Sequence, residues 1–502
     1  MTRNETRREG APIMNATSDN EPAGAGHVGK AIRSAVVWNF ATMAFGQVAI
    51  ASVFLLLAGK IDPVIFGTFA LAAVLVDIFY NIGTSSAVDA LVQQQDYSRR
   101  TLSTVTWAAM GFCVIAATIF MTCAGWYANA IGTPQVAGIL EILSLTTLMI
   151  PFVIGPMAIM RERLDFKGIA VLSMISSLTG SLAALAVAYS PYIEWALVVQ
   201  RIVMTLTLFG LATIRTRFLP AFKFDLQAAR TWLSSTSRIF AGQSFANTTP
   251  RLVDLLMGIF FGVAAVGHLR VALKLYELAI SLFVNPFTQL WVVLLTRARE
   301  SKESISGIFV HLSTLLSLVA LPGFIGLALV AREIVAITLN AEYAPVADML
   351  MVLGALGFFV PLNHSRNAVL TATRQFSSLV QLSMADMIAT IFGMVALSYF
   401  GAPAMLGGIG VSSVMLVMFA LPTMLRATHT TARDLFTAVL PPYAAVTAMA
   451  IGVLAVAPLL ASYDPIPSLI IKVLVGATIY LGTLGLFFRR SVIDSFKLVA
   501  AR

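Results

Sequence analysis

The sequence predicts an all-α, polytopic membrane protein. It should have about fourteen transmembrane helices, in two parallel, pseudo-symmetric six-helix lobes plus two C-terminal helices. Three observations predict this: an apolar composition, a regular series of long apolar runs, and an internal repeat. Of 502 residues, 58% are apolar and 11% are charged, against roughly 25% charged in soluble domains. Mean hydropathy is +0.86. This composition excludes a water-soluble globule, a disordered chain and a disulfide scaffold. The two cysteines, Cys113 and Cys123, fall in one apolar run and offer no disulfide framework.

Residues 1–34 mix charge, Gly, Pro, Ala and Asn without an apolar face and read as a disordered tail. They do not read as a signal peptide, because the apolar run that follows is too long and lacks a small-residue cleavage site. Apolar runs then recur near 35–58, 65–90, 102–125, 136–160, 168–189 and 193–214. A second series lies near 237–262, 265–295, 308–330, 345–370, 377–400 and 403–425, and a final pair near 437–460 and 468–488. A span needs about 20 apolar residues, and backbone in lipid must satisfy itself internally, so these runs are expected to be helices.

Charge sets the expected orientation. With the N-terminus inside, the tails and even-numbered loops hold twenty-four Lys and Arg, including Arg99, Arg100, Arg161, Arg163, Arg215, Arg217, Arg297, Arg299, Lys302, Arg374, Arg426 and Arg433. The odd-numbered loops hold two, Lys60 and Arg332. Basic loops stay cytoplasmic, so both termini are expected in the cytoplasm. The +9 net charge is this asymmetry spread over short loops and gives no reason to expect a nucleic-acid partner.

The chain is internally repeated. At an offset of 210, Val136, Ala137, Leu140, Leu143, Pro151, Ala158 and Phe166 match Val346, Ala347, Leu350, Leu353, Pro361, Ala368 and Phe376. At an offset of 200, Phe66-Gly67 resembles Val266-Gly267. The offset spans six helices, an even number, so both halves enter the membrane in the same sense. The expected organisation is a cytoplasmic tail (1–34), an N-lobe (35–214), a cytoplasmic linker (215–236), a C-lobe (237–425), two further helices (437–488) and a second tail (489–502). Proline inside a span is costly unless a broken helix is wanted, so Pro151 and Pro361 are hinge candidates.

Charged residues inside spans mark interiors and cavities. The N-lobe carries Asp77, Asp89, Glu141 and Arg201; the C-lobe carries Arg251, Asp254, Arg270, Lys274, Glu277, His364, Arg366 and Asp386. Arg270, Lys274 and Glu277 share a helix face, as do Arg251 and Asp254. Arg251, Arg270, Lys274 and Arg366 form a candidate phosphate-binding set, since guanidinium donors match phosphate oxygens and lysine supplies a point charge. Asp254, Glu277, Asp77 and His364 are candidates for ion pairing or ion coupling. Local pairing of Arg251 with Asp254 and of Lys274 with Glu277 is the competing reading. Arg270 and Arg366 have no acid nearby in sequence, which favours a ligand for them. There is no GxxxxGK[ST] motif, no loop long enough for an ATPase or a large catalytic domain, and no metal-ligand spacing among the five His. A transporter rather than an enzyme is expected, without cofactor or metal.

Several segments carry a family resemblance. Ile61-Asp62-Pro63-Val64-Ile65-Phe66-Gly67-Thr68-Phe69-Ala70-Leu71-Ala72 resembles the L-S-P-x-x-F-G-x-x-A-L-A stretch of bacterial Wzx-type polysaccharide transporters. Ala90-Leu91-Val92-Gln93-Gln94 resembles their A-L-V-Q-R, Leu102-Ser103-Thr104-Val105-Thr106-Trp107 their L-x-T-x-F-W, and Arg163-Leu164-Asp165-Phe166 their R-x-x-F-K. Arg251 and Asp254 fit their R-x-x-D, and Val266-Gly267 through Leu275 their G-x-x-x-x-A-x-x-L. The chain departs from the pattern at Tyr80-Asn81-Ile82-Gly83, where A-D-L-G is common, and at His268, where an aromatic is common.

The resemblance covers roughly 35–430. It implies the multidrug/oligosaccharidyl-lipid/polysaccharide flippase superfamily and two six-helix bundles. It also implies transfer of undecaprenyl-diphosphate-linked oligosaccharide across the bacterial inner membrane by alternating access, for exopolysaccharide or O-antigen synthesis. The implied partners are the lipid bilayer, the lipid-linked substrate and a polysaccharide polymerase or co-polymerase. The alternatives are a multidrug or cation antiporter of the same superfamily, a peptidoglycan-precursor flippase, and a non-transporting scaffold.

Overall fold

The computed structural model describes residues 46–94, 96–287, 305–373 and 375–487. Both expected tails, the start of the first span, the end of the eighth, and Arg297, Arg299, Lys302 and Arg374 lie outside the described residues. Within them the chain is helical. In order, α1 is Gly46–Ala58, α2 Pro63–Gln94 and α3 Arg99–Ile131. They are followed by α4 Gln135–Glu162, α5 Phe166–Ala188 and α6 Ile193–Thr216. A continuous helical stretch, Leu226–Phe283, then contains one non-helical residue, Gly262, at φ 80° and ψ −179°. A backbone with φ of this sign favours a residue without Cβ. The chain doubles back there: Arg270 meets Asp254 at 2.7 Å, although sixteen residues separate them. The arms 226–261 and 263–283 are therefore called α7 and α8. Then come α9 Ile305–Leu329, α10 Ala341–Ala372, α11 Phe376–Leu397, α12 Ala402–Thr428, α13 Ala432–Leu460 and α14 Pro465–Phe487.

By length and composition, twelve helices among the described residues are long and apolar enough to cross a membrane. The Gly262 reversal lies inside one of them, and α1 is a thirteenth, shorter apolar helix. The expected fourteen is reached only when α1, α7 and α8 are each counted as a pass.

The repeat is visible in the backbone. α4 runs Gln135–Thr146, passes through a 3₁₀ turn at Thr147–Met149, and resumes at Ile150 with Pro151 in its first turn. α10 runs Ala344–Leu356, passes through a 3₁₀ turn at Gly357–Phe359, and resumes at Val360 with Pro361 in its first turn. The prolines thus sit where a helix restarts, a position that needs no backbone N–H. α3 and α9 end at Ile131 and Leu329, whereas α4 and the first half of α10 start at Gln135 and Ala344. The extra residues that change the repeat offset lie between them, in the short helix Ala331–Thr338.

Three apolar cores place the two lobes. One core joins both: Leu57, Ile61, Phe66, Tyr127, Val136 and Leu197 pack with Val266, Leu269, Val335, Tyr343, Val346 and Leu406. These residues flank the loops that are poor in Lys and Arg. The two lobes keep separate cores at the opposite, basic end. Leu91, Leu102, Ile154, Phe218 and Trp232 form one, and Phe309, Val369, Leu370, Leu416 and Leu435 the other. One shared core joins the lobes at the end poor in Lys and Arg, and at the basic end α7 also reaches α2, where Trp232 donates to the Ala87 carbonyl at 3.2 Å. Tyr343 strengthens the seal by donating its buried hydroxyl to the Ile61 carbonyl at 2.7 Å.

At the basic end, loops are tied down by capping and ion pairs. Asp165 caps α5 at the Gly168 N–H (3.0 Å) and pairs with Arg215 at the end of α6 (2.7 Å). Arg100 pairs with Asp225 (3.2 Å), and Trp107 donates its indole N–H to the Ala221 carbonyl (2.9 Å). The 217–225 linker is therefore strapped across α3. At the sealed end, the short helix Ala331–Thr338 carries Glu333, which accepts from Lys472 and Ser468 of α14.

Candidate functional site: a charged cavity beside an apolar groove

Below the seal, between the lobes, lies a cavity of about 300 Å³. α1 contributes Ile50 and Phe54, α2 Asp77, α5 Ser181 and α6 Gln200; α7 and α8 contribute Arg251, Arg270, Lys274 and Glu277. The helical spacing expected from sequence explains the last three. Positions 270, 274 and 277 follow one stripe of α8.

The charges form a chain of contacts. Asp77 meets Arg201 at 3.0 Å and Arg251 at 3.2 Å. Arg251 also reaches Asp254 at 3.8 Å, and Asp254 holds Arg270 at 2.7 Å. The Asp254 side chain is only 1% exposed. A carboxylate at such a depth requires paired cations, because desolvation of an isolated charge costs several kcal/mol or more. The Arg201 guanidinium also lies 4.9 Å from the Tyr80 ring centroid, a cation–π arrangement that fixes its plane. Lys274 reaches Glu277 at 3.7 Å, and Glu277 is 64% exposed. Three arginines and one lysine thus face three acids, leaving one surplus positive charge. The arginine side chains are only 18–23% exposed, and partial burial strengthens an interaction with an anion.

Most of the predicted site residues converge here. Arg251, Arg270 and Lys274 share the cavity with Asp77 and Glu277, and Asp254 lies directly behind Arg270. Arg366 and His364 do not line it. Arg366 sits buried in α10, where its Nε donates to Asn367 at 3.1 Å, with Asp386 of α11 as an opposite charge in its neighbourhood. The His364 ring contacts its own helix's Val360 carbonyl at 3.2 Å. Arg270, which lacks an acid nearby in sequence, gains Asp254 across the reversal at Gly262. Asp89 pairs with Arg161 towards the basic end, and Glu141 is exposed on the outside of α4. Arg201 was not among the predicted binding residues; its position on α6 opposite Asp77 gives it the same standing as Arg251.

Behind α8 lies a second feature, a groove of about 700 Å³. Its walls are apolar: Leu275, Ala279 and Leu282 of α8, Gly323 and Leu327 of α9, and Gly476 of α14 are representative. Lys472 also lines it. One side of α8 therefore faces the charged cavity and the adjacent side faces the groove. A binding region of this size and mixed polarity suits a ligand with an anionic head and a hydrocarbon tail.

Fold and site together define a two-lobed, multi-pass α-helical membrane protein with a charged cavity between its lobes. The overall fold is similar to that of a solved lipid II flippase MurJ in an inward closed conformation, with a TM-score of 0.73 and 13% identity, over 92% of this chain and 99% of that one. Residues 56–348 match the family of polysaccharide biosynthesis proteins, and the chain belongs to that family. It is 32% identical over 196 residues to the succinoglycan biosynthesis transport protein ExoT of Rhizobium meliloti, covering 38% of this chain and 39% of that protein. It is 20% identical over 331 residues to the lipopolysaccharide biosynthesis protein WzxC of Escherichia coli, covering 63% of this chain and 65% of that one. The chain thus spans less than two thirds of the length of these relatives.

Proposed function

We propose that this protein flips undecaprenyl-diphosphate-linked oligosaccharide repeat units across the inner membrane, for exopolysaccharide or O-antigen biosynthesis. The observation that carries this reading is the adjacency of two unlike spaces. A cation-rich cavity sized for a charged head lies on one side of α8 and an apolar groove on the adjacent side. Arg251, Arg270, Lys274 and Arg201 would hold the diphosphate through charge-assisted hydrogen bonds. The groove would hold part of the polyprenyl tail. The basic end is assigned to the cytoplasm by the charge asymmetry of the loops, with both termini there and fourteen passes in all.

The shared core at the far end and the two cores at the basic end support an inward-facing arrangement. Rocking of the 35–214 and 237–425 lobes, with the breaks at Pro151 and Pro361 as hinges, would expose the cavity to the other side. Arg366 is assigned to the C-lobe interior rather than to the head site. The names of ExoT and WzxC support the polysaccharide pathway, and a polymerase or co-polymerase is the expected partner.

The test is a clean deletion scored for viability, surface polymer and the lipid-linked pool. Viable cells without polymer, retaining undecaprenyl-linked units in the inner leaflet, are expected. Normal polymer with altered drug tolerance would instead indicate an antiporter. Lethality with accumulated wall precursor would indicate a peptidoglycan-precursor flippase. Restoration of export by wild type and not by Arg251→Ala/Arg270→Ala, at equal protein level, would assign the head site.

A further inference from the structure

The cavity's arginines and carboxylates do not pair one to one. Asp77 of the N-lobe uses its two oxygens on two guanidiniums, Arg201 of its own lobe (3.0 Å) and Arg251 of the C-lobe (3.2 Å). Arg251 has a second carboxylate, Asp254, but at the longer distance of 3.8 Å. Its shorter contact is therefore the one that crosses between lobes. Asp254 is walled off behind Arg270 and does not line the cavity, whereas Asp77 does. The pairing is also imperfect. Among the described residues, Asp77 Oδ1, Arg201 Nη2, both Asp254 oxygens, and Arg270 Nε and Nη2 make no well-aligned hydrogen bond. Guanidinium groups held near carboxylates at poor angles keep donor capacity for a better-matched acceptor.

A carboxylate bridging two guanidiniums has the geometry of a phosphate bridging the same two. We propose that Asp77 is a resident stand-in for the substrate's phosphate. It cross-links Arg201 to Arg251 in the unloaded protein, and an incoming diphosphate displaces it. This rests on the diphosphate reading above. The step is an exchange of ionic partners with no covalent change. It has two consequences. Competition by the internal carboxylate limits affinity, so the head can leave as well as enter. The exchange also releases the N-lobe from Arg251, which gives the ligand the differential interaction that a change in lobe equilibrium requires.

The experiment uses the purified full-length protein in lipid nanodiscs, with geranylgeranyl diphosphate as the probe and geranylgeraniol as the control. Arg251→Ala and Arg270→Ala should weaken probe binding about tenfold. Asp77→Asn should tighten it about tenfold. Spin labels at Tyr97 and His429, one on each lobe at the basic end, should report a distance change in wild type on adding probe. In Asp77→Asn they should report the shifted distance without probe. Equal or weaker binding by Asp77→Asn, with the arginine variants impaired, would overturn the exchange and leave the diphosphate site standing. Arginine variants that bind as wild type would overturn the diphosphate reading itself. If Asp77→Asn is not monodisperse, the comparison moves to the Arg201→Gln background. There, adding Asp77→Asn should tighten binding, and unchanged binding overturns the proposal.

Discussion

Gly67 of α2 and Gly267 of α8 occupy equivalent positions of the repeat and make equivalent contacts across the lobe boundary. A Cβ on Gly67 would be driven into the Val263 carbonyl, and a Cβ on Gly267 into the Pro63 carbonyl. Positions 63 and 263 are themselves equivalent, so each lobe presses the same residue against the other's backbone. Close backbone approach through small residues drives helix association in membranes.

Enlarging either glycine should open this seal. Gly67→Val and Gly267→Val should each cost the sealed state about 1–3 kcal/mol, the usual range for overpacking. The check is labelling of a cysteine at Ser181, in a background with Cys113 and Cys123 replaced. A membrane-impermeant thiol reagent added outside should label it faster in the glycine variants.

Asp254 should be the least replaceable charge in the cavity. Removing one partner of a buried pair leaves an uncompensated charge and costs about 3–5 kcal/mol. Asp254→Ala should therefore lower the thermal midpoint of the detergent-solubilised protein strongly. Glu277→Gln should leave it near wild type, because its carboxylate is 64% exposed and such pairs contribute little.

The helix reversal at Gly262 should resist substitution. Holding a residue with a Cβ at φ 80° costs on the order of 1–3 kcal/mol. Gly262→Ala should destabilise the protein by that amount in thermal unfolding, with no atom of the cavity altered.

Stability should fall in acid through carboxylates outside the membrane-spanning helices. The hydrogen bond from Arg215 holds Asp165 below its usual range, and Thr101 does the same for Asp96. Burial opposes ionisation of Glu333, but its hydrogen bonds from Lys472 and Ser468 outweigh that and also hold it low. A carboxyl with a depressed folded-state pKa stabilises above its unfolded pKa, and that contribution disappears as pH drops through the folded one. The thermal midpoint should decline below about pH 4, and Asp165→Asn should flatten the decline.

Filling the apolar groove should block transport and spare the head site. Gly476→Leu and Ala477→Phe are expected to abolish polymer export at normal protein level. Binding of isopentenyl diphosphate, which has almost no tail, should be unchanged.

Much of this was legible in the sequence because span length, helical periodicity and proline placement are local properties. The paired prolines locate both helix breaks, and the stripe at 270, 274 and 277 locates one wall of the cavity. The ionic partners were less legible. Arg270 meets Asp254 only because Gly262 reverses the chain, and Arg201 meets Asp77 across the N-lobe. Periodicity says which face a residue occupies and nothing about which helix that face meets. The groove was hidden for a related reason: leucines and glycines lining a space have the same pattern as those filling one.

The seal at Gly67 and Gly267 has the form of an isologous interface, the self-complementary contact by which identical subunits pair about a two-fold axis. Each half offers both a glycine notch and a backbone ridge, so each contains everything the other requires. Chains severed in the 217–225 linker and co-expressed should reassemble through that surface. A half-length chain from either side of the cut carries the elements of a homodimeric contact in its own sequence.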